Sequence, residues 1–302
     1  MRIALIATLY NEADNVSHWW DCLMRQTTRP DEMVIVDGGS TDGTWEQLQA
    51  LARQSPVPVR LKQQRCNIAA GRNLAIQMTE AEIIAVTDAG SFPERDWLSE
   101  ITKPLLEDAQ CDVSGGLNLS DVENNFQKFL AQFESPVVSG EFGGELHPSS
   151  RNTAFRRTAW ADVGGYPEWL TLAGEDLLFT HELTRVGKKF SYNPKARVHW
   201  TVRPTAEAFF ALNRRNAFGS AEARLHPTYF LRRLLLTFFP PLLLLSKHRF
   251  RHLKFRWRKN ASSALGWLAG RWRGRKPPAG WKRVDGILLS PEAQKVLTFN
   301  AK

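Results

Sequence analysis

Between residues 3 and 88 short apolar runs alternate with helix-periodic stretches, and that alternation leaves few folds open. Ile3 to Thr8 is a continuous apolar run, followed from Glu12 to Gln26 by Val16, Trp19, Trp20, Leu23 and Met24 at helical spacing. Met33 to Val36 is a second run, closed by Asp37-Gly38-Gly39-Ser40, after which Trp45, Leu48, Leu51 and Ala52 mark another amphipathic helix. Val59 to Lys62 reads as a third strand, Ile68 to Met78 as a helix, and Ile83 to Thr87 as a buried strand ending at Asp88. Strands that alternate with helices are joined by crossovers, so the pattern predicts right-handed βαβ units, a mostly parallel sheet and the α/β class.

In such sheets ligands sit beyond the carboxyl ends of the strands, and three of those ends are polar here: Thr8 to Glu12, Asp37 to Ser40, and Asp88 to Ser91. Asp37 is followed by two glycines that admit a close backbone approach and by a capping hydroxyl, a ligand-binding turn that is equally explicable as a capped loop with no ligand. The first turn, Tyr10-Asn11-Glu12, lacks the glycines of a dinucleotide fingerprint, which disfavours hydride chemistry. From Cys111 to Trp200 the chain reads as richer in loops, with a Gly-rich stretch from Ser139 to Glu145, and is expected to form the second wall of a cleft.

Five segments, Thr8-Leu9-Tyr10-Asn11-Glu12, Val36 to Thr44, Gly71-Arg72-Asn73, Thr87-Asp88-Ala89-Gly90 and Gly174-Glu175-Asp176, resemble in order and interval those of the family 2 glycosyltransferases. The resemblance covers residues 1 to about 220 and implies the GT-A fold, a nucleotide-binding sheet continuous with an acceptor-binding half. The expected division is residues 1–230, with 1–110 for the nucleotide sugar and 111–230 for the acceptor, ahead of a separate region 231–302. The implied reaction is an inverting transfer from a nucleoside-diphosphate sugar, UDP-sugar favoured, to a hydroxyl of a lipid-linked or polysaccharide acceptor.

The resemblance also implies roles. Asp37, in the turn with Gly39 and Ser40, would accept from the imino group of a uracil-like base, and Glu12, Asn11 and the backbone of Leu9 would contact the same nucleoside. Arg72 would lie near the base or diphosphate, a surface salt bridge being the plainer alternative. Asp88 matches the first acid of the Asp-x-Asp motif, which contacts ribose and holds Mg²⁺ or Mn²⁺. Gly90 stands where the second acid would be, leaving one carboxylate plus substrate phosphates for a hard cation. His199 matches a further metal or phosphate contact, or simply caps a strand. Asp176 would take the acceptor proton, with Glu175 shaping the pocket, although adjacent acids at a helix start also compensate the dipole. Arg214 and Arg215 fall where processive relatives carry Gln-x-x-Arg-Trp; with no Trp after the arginine they imply a phosphate clamp without processive polymerisation. Arg151 and Asn152 would line the acceptor side. Two other readings stay open: a nucleotide-sugar-binding protein without appreciable turnover, which Gly90 makes conceivable, and nucleotidyl transfer on a similar sheet.

The net charge of +9 divides unevenly. Residues 1–231 hold 23 Lys/Arg against 29 Asp/Glu, whereas residues 232–302 hold 17 against 2. From Lys247 to Arg283 thirteen bases and no acid are interleaved with Phe250, Phe255, Trp257, Trp267, Trp272 and Trp281, behind the apolar run Leu234 to Leu245. That composition suits a segment lying on an anionic membrane, with a packed helical subdomain as the competing reading; nucleic acid does not account for the apolar run. The start resembles a strand rather than an export signal, and no uninterrupted apolar stretch reaches spanning length. Cys22, Cys66 and Cys111 share no metal-ligand spacing, so a cytoplasmic protein held at the inner face of the membrane is expected.

Overall fold

The structure, a computed structural model, describes residues 1–133, 141–142, 145–240, 252–284 and 286–300. Its first half runs β1 (Ile3–Leu9), α1 (Ala13–Met24), β2 (Glu32–Asp37), α2 (Thr44–Arg53), β3 (Val59–Gln63), α3 (Ile68–Gln77), β4 (Ile83–Val86), β5 (Ser91–Pro93) and α4 (Trp97–Glu107). Then follow β6 (Val113–Asp121), α5 (Asn125–Phe133), β7 (Glu141–Phe142), β8 (Glu145–Leu146), β9 (Thr153–Arg156), α6 (Arg157–Asp162), α7 (Glu175–Arg185) and β10 (Phe190–Thr201). The C-terminal part is α8 (Ala206–Glu222), α9 (Pro227–Phe238), α10 (Leu253–Arg273), β11 (Lys282–Val284), β12 (Ile287–Leu289) and α11 (Pro291–Asn300).

Eight strands form one sheet in the order β3-β2-β1-β4-β9-β6-β10-β5. The β3-β2-β1-β4 half is parallel, as is β6 beside β10; β9 and β5 run antiparallel to their neighbours. Because side chains alternate across a strand, β1 feeds two cores. Leu5, Ala7 and Leu9 meet Trp19, Leu48 and Trp97 on one face, while Ala4 and Ile6 meet Ile76, Phe155 and Phe179 on the other. The result is a three-layer α/β/α arrangement with the carboxyl ends of β1, β2 and β4 side by side.

The stretch expected to be loop-rich in fact contributes β6, β9 and β10 to this sheet. β9 is four residues long, β6 contains Gly115-Gly116 and β10 shifts register between Asn193 and Arg197, so no clean period-two signal marks them and their pairing depends on the neighbouring backbone. Charge suggested a break near residue 230, but packing continues across it. α10 lies along α8, and Leu289 and Ala293 join the core that holds Phe179 and Leu183. Most of the stretch 139–145, and 241–251 of the apolar and basic run, lie outside the described residues.

Candidate active site

Two βα turns are stitched into one floor. Asp37 ends β2 fully buried, and its Oδ2 accepts from the Ser40 backbone N–H at 3.1 Å and from Gln63 Nε2 at 2.8 Å, while Oδ1 accepts a hydrogen bond from the Ser40 hydroxyl. Ser40 Oγ in turn accepts from the backbone N–H of Asn11 at 2.8 Å, and Asn11 Oδ1 from the N–H of Thr41 at 3.0 Å. Asn11 sits at φ +54°, a left-handed conformation that asparagine tolerates. Leu9 is buried below, its carbonyl taken by the Gly38 N–H at 2.7 Å; Gly39, at φ +93°, turns the chain beside Arg65. Glu12 donates its backbone N–H to Thr44 Oγ1 at 2.8 Å. Its carboxyl is pushed up by burial, with the Asn15 hydrogen bond opposing and the charge of Asp88 adding.

Arg72 on α3 is the hub. Only 2% exposed, it donates from Nη2 to Asp88 Oδ1 and from Nη1 to Glu175 Oε1, both at 2.9 Å, with its guanidinium 5.4 Å from the centre of the Tyr166 ring. Burial disfavours the arginine charge, but Asp88 and then Glu175 more than restore it. Glu175 is pushed up by burial and by Asp176 beside it, with Arg72 pulling the other way. The loss of water around these groups strengthens every charge interaction among them.

Glu175 and Asp176 open α7. Gly174 before them has φ +92°, a conformation that disfavours a side chain, and it lies against α8 where Gly219 leaves room: a Cβ on Gly219 would stand 1.9 Å from the Ala173 carbonyl oxygen. Glu222 of α8 fixes the approach to this turn, accepting from the backbone N–H of Thr171 at 2.9 Å and from its hydroxyl at 2.7 Å. Asp176, partly exposed, has Oδ1 near the Leu177 N–H at 2.8 Å. Asp88 and Glu175 are thus held by one cation, with Asp176 next to Glu175 at the start of α7.

The remaining sequence candidates divide. Arg151 stacks its guanidinium 4.5 Å above the Trp200 ring and is one residue from Ser150, whose hydroxyl is 3.2 Å from that of Tyr166. Asn152 is fully buried and works inside the sheet instead of on a cleft wall. Its amide donates to the carbonyls of Leu117 and Ala196, and its oxygen accepts from Trp97 Nε1 at 2.8 Å. Arg214 and Arg215 are exposed on α8, Arg215 one turn before Gly219.

His199 lies between Asp121 Oδ1 at 2.8 Å from Nδ1 and Glu94 Oε1 at 3.2 Å from Nε2. Burial works against its charge, but the bonds to Asp121 and Glu94 outweigh it and hold the ring's pKa above its ordinary value. Both ring nitrogens thus lie within hydrogen-bonding distance of a carboxylate. At the Asp-x-Asp position a Cβ added to Gly90 would meet nothing within 4 Å, and among the described residues no three His, Cys, Asp or Glu side chains are grouped to hold a metal. Arg72 bonds only Oδ1 of Asp88, which leaves Oδ2 as an oxygen fit for a hard cation, so the residues fit an ion held mainly by substrate oxygens and water.

Several contributors escaped sequence reading. Gln63 holds Asp37, Tyr166 underlies Arg72, and the charge of Arg203 stabilises ionised Glu12. Only Tyr166, eight residues before the turn at Gly174 in a Gly-Gly-Tyr sequence, carried any local signal.

A family model described as Glycosyl transferase family 2 matches residues 4–164, and one described as Glycosyl transferase family group 2 matches residues 110–268. The chain is 25% identical over 230 residues to the O-antigen chain rhamnosyltransferase RfbN of Salmonella typhimurium, covering 70% of this chain and 71% of that protein. It is 26% identical over 203 residues to the glycosyltransferase AglE of Haloferax volcanii, covering 63% and 64%. Among solved structures it resembles the mannosyltransferase PcManGT of Pyrobaculum calidifontis in complex with GDP-Man and Mn²⁺, with TM-score 0.58 and 21% identity over 99% of this chain and 79% of that one. S. aureus TarS 1–349 in complex with UDP-GlcNAc gives TM-score 0.54 and 18% identity over 95% and 96%.

Proposed function

The chain belongs to glycosyl transferase family 2 and has the GT-A fold, and on that premise we propose that it is an inverting enzyme that moves a sugar from a nucleoside-diphosphate sugar, UDP-sugar favoured, to an acceptor hydroxyl with Asp176 as general base. The observation that carries the reading is Arg72, which ties Asp88 from the nucleotide half to Glu175 from the acceptor half, beside Asp176. The acceptor is a glycan or a lipid-linked glycan, on the cytoplasmic side at the membrane; the rhamnosyltransferase relative is named for an O-antigen chain.

The nucleoside lies over the floor made by Asn11, Glu12 and the Asp37 turn. For Asp37 to receive the imide N–H of a uracil, the Ser40 hydroxyl rotates off Oδ1, which frees a lone pair in a buried setting where an unpaired partner is costly. Asp88 meets the ribose and the diphosphate edge. A divalent cation, Mg²⁺ or Mn²⁺, would be held by Asp88 Oδ2 and would neutralise charge on the departing diphosphate.

On the other wall Asp176 takes the proton from the acceptor oxygen as that oxygen attacks the anomeric carbon from the side opposite the nucleotide, which inverts the configuration. Glu175, pinned by Arg72, fixes the start of α7 and so aims Asp176. Arg151 on Trp200 serves the acceptor side, and Arg214 and Arg215 offer cations to phosphate. Transfer and donor hydrolysis with a panel of nucleoside-diphosphate sugars test this. Asp176→Asn keeps the thermal shift given by donor while turnover falls by about 10²–10⁴-fold; turnover within a few-fold of wild type would remove Asp176 from the reaction. A wild type that binds donor and never turns over would favour a nucleotide-sugar-binding protein instead.

A further inference from the structure

α10 is inside out for a helix of a water-soluble domain. Its buried positions are Asn260, Ser262, Ser263, Ala264, Gly266 and Gly270, and large apolar side chains face solvent. The small residues are there because α8 comes very close. A Cβ on Gly266 would stand 2.2 Å from the Arg214 carbonyl oxygen, and one on Gly270 2.4 Å from that of Phe218. Asn213 of α8 donates its amide to the Lys259 carbonyl at 3.0 Å and to the hydroxyls of Ser262 and Ser263 at 2.8 and 2.9 Å. This polar seam fixes which face of α10 looks outward.

The outward face carries Leu265, Leu268 and Trp272, which are 58%, 42% and 84% exposed and lie at i, i+3 and i+7 on one stripe. α9 adds Leu231, Leu235 and Phe238, likewise exposed, and is fixed to α10 by Arg233 on Asn260, by the Trp257 indole N–H on the Thr237 carbonyl, and by stacking of Phe230 on Trp267. Around these apolar groups stand Arg232, Lys254, Arg271 and Arg273, all exposed, and neither helix contains an acidic residue. Among the described residues no helix is long and apolar enough to cross a membrane.

We infer that the outer faces of α9 and α10 form a rigid platform that lies flat on an anionic lipid bilayer, with leucines and Trp272 at the boundary between headgroups and acyl chains and the arginines and lysine on lipid phosphates. Exposed apolar stripes ringed by cations match that surface in both respects, whereas the surface of an ordinary soluble partner supplies no matching sheet of negative charge. The inference deepens the membrane-surface element of the proposed function and rests on it. It also names the acceptor class: α8 connects the platform directly to Gly174 at the head of the catalytic turn, so the acceptor is presented from the bilayer as a lipid-linked glycan.

Flotation of the full chain with phosphatidylcholine vesicles, with and without phosphatidylglycerol, tests the platform, and thermal shift with UDP reports the nucleotide site independently. Wild type is expected to float with the anionic vesicles and to be released by salt. Leu265→Glu/Leu268→Glu/Trp272→Glu is expected to lose at least tenfold of that binding while keeping the UDP shift. Should the triple variant not fold, Leu231→Glu/Leu235→Glu on α9 takes its place. The inference falls if wild type stays at the bottom of the gradient, if the folded variants float as wild type does, or if sedimentation shows a wild-type dimer that the variants split, since a second copy would then cover this face. Flotation with no UDP shift would sink the nucleotide reading and leave the platform standing.

Discussion

Glu175 accepts a 2.9 Å hydrogen bond from Nη1 of Arg72, 103 residues earlier in the chain. The same guanidinium holds Asp88, so one buried cation balances acids drawn from both halves of the cleft. Removing one partner of a buried ion pair leaves the others uncompensated, which costs more than the pair contributes.

Arg72→Met is therefore expected to lower unfolding free energy by about 3–5 kcal/mol, read by urea titration. Arg72→Lys restores a charge without the fork that reaches both acids, so it recovers part of the stability while turnover stays at least about tenfold down. A methionine variant as stable as wild type would contradict the hub.

Gly90→Asp restores the second acid of the Asp-x-Asp pattern in a place where an added Cβ meets nothing within 4 Å. The expected outcome is tighter use of Mn²⁺, with the half-activating metal concentration falling about tenfold or more, on the order of one added carboxylate ligand. An unchanged metal titration would mean that this edge does not face the diphosphate.

Gly219→Ala drives a methyl against the Ala173 carbonyl, 1.9 Å away, next to the turn that aims Asp176. The overpacking is expected to cost about 1–3 kcal/mol. A displacement of about 1 Å at the base would lower kcat about 100-fold. Thermal melts and steady-state kinetics on the same preparation check both; normal kcat would show that α8 does not position the catalytic turn.

Glu182 on α7 is buried where it accepts from the Ser290 N–H at 2.6 Å, and burial raises its carboxyl from the usual 4.5 to about 8. Between those pH values the folded protein keeps a proton that the unfolded chain has released. Its contribution to stability is whole below pH 4.5, declines as pH rises toward about 8, and then levels off. Glu182→Gln keeps an oxygen for Ser290 and has nothing to titrate, so its melting temperature should vary less with pH across that window. An identical slope in both proteins would place the titration elsewhere.

Periodicity was enough to read β1 through β4 and the helices between them, because β1, β2 and β4 are apolar runs, β3 alternates, and α1 and α2 each have one apolar face. The same approach missed β6, β9 and β10, where paired glycines, a four-residue length and a register shift blur the period of two and neighbours supply the hydrogen-bond partners. Motif order singled out Asp88, Arg72, Glu175 and Asp176, and the fold brings them together. The same procedure placed Asn152 on a wall when its amide serves Leu117, Ala196 and Trp97 inside the protein. A polar side chain carries no linear mark of whether backbone or ligand will satisfy it.

The order of apolar runs and polar turns along the chain already implies a parallel sheet with its acids at the strand ends, since burial periodicity and crossover handedness are local properties. Which acids share a cation, and which side of α10 looks outward, depend on contacts between segments far apart in the chain. Arg72 finds Glu175 across the cleft, and the Gly266 and Gly270 seam turns the leucines of α10 toward solvent, because close packing of α8 left room for nothing larger inside.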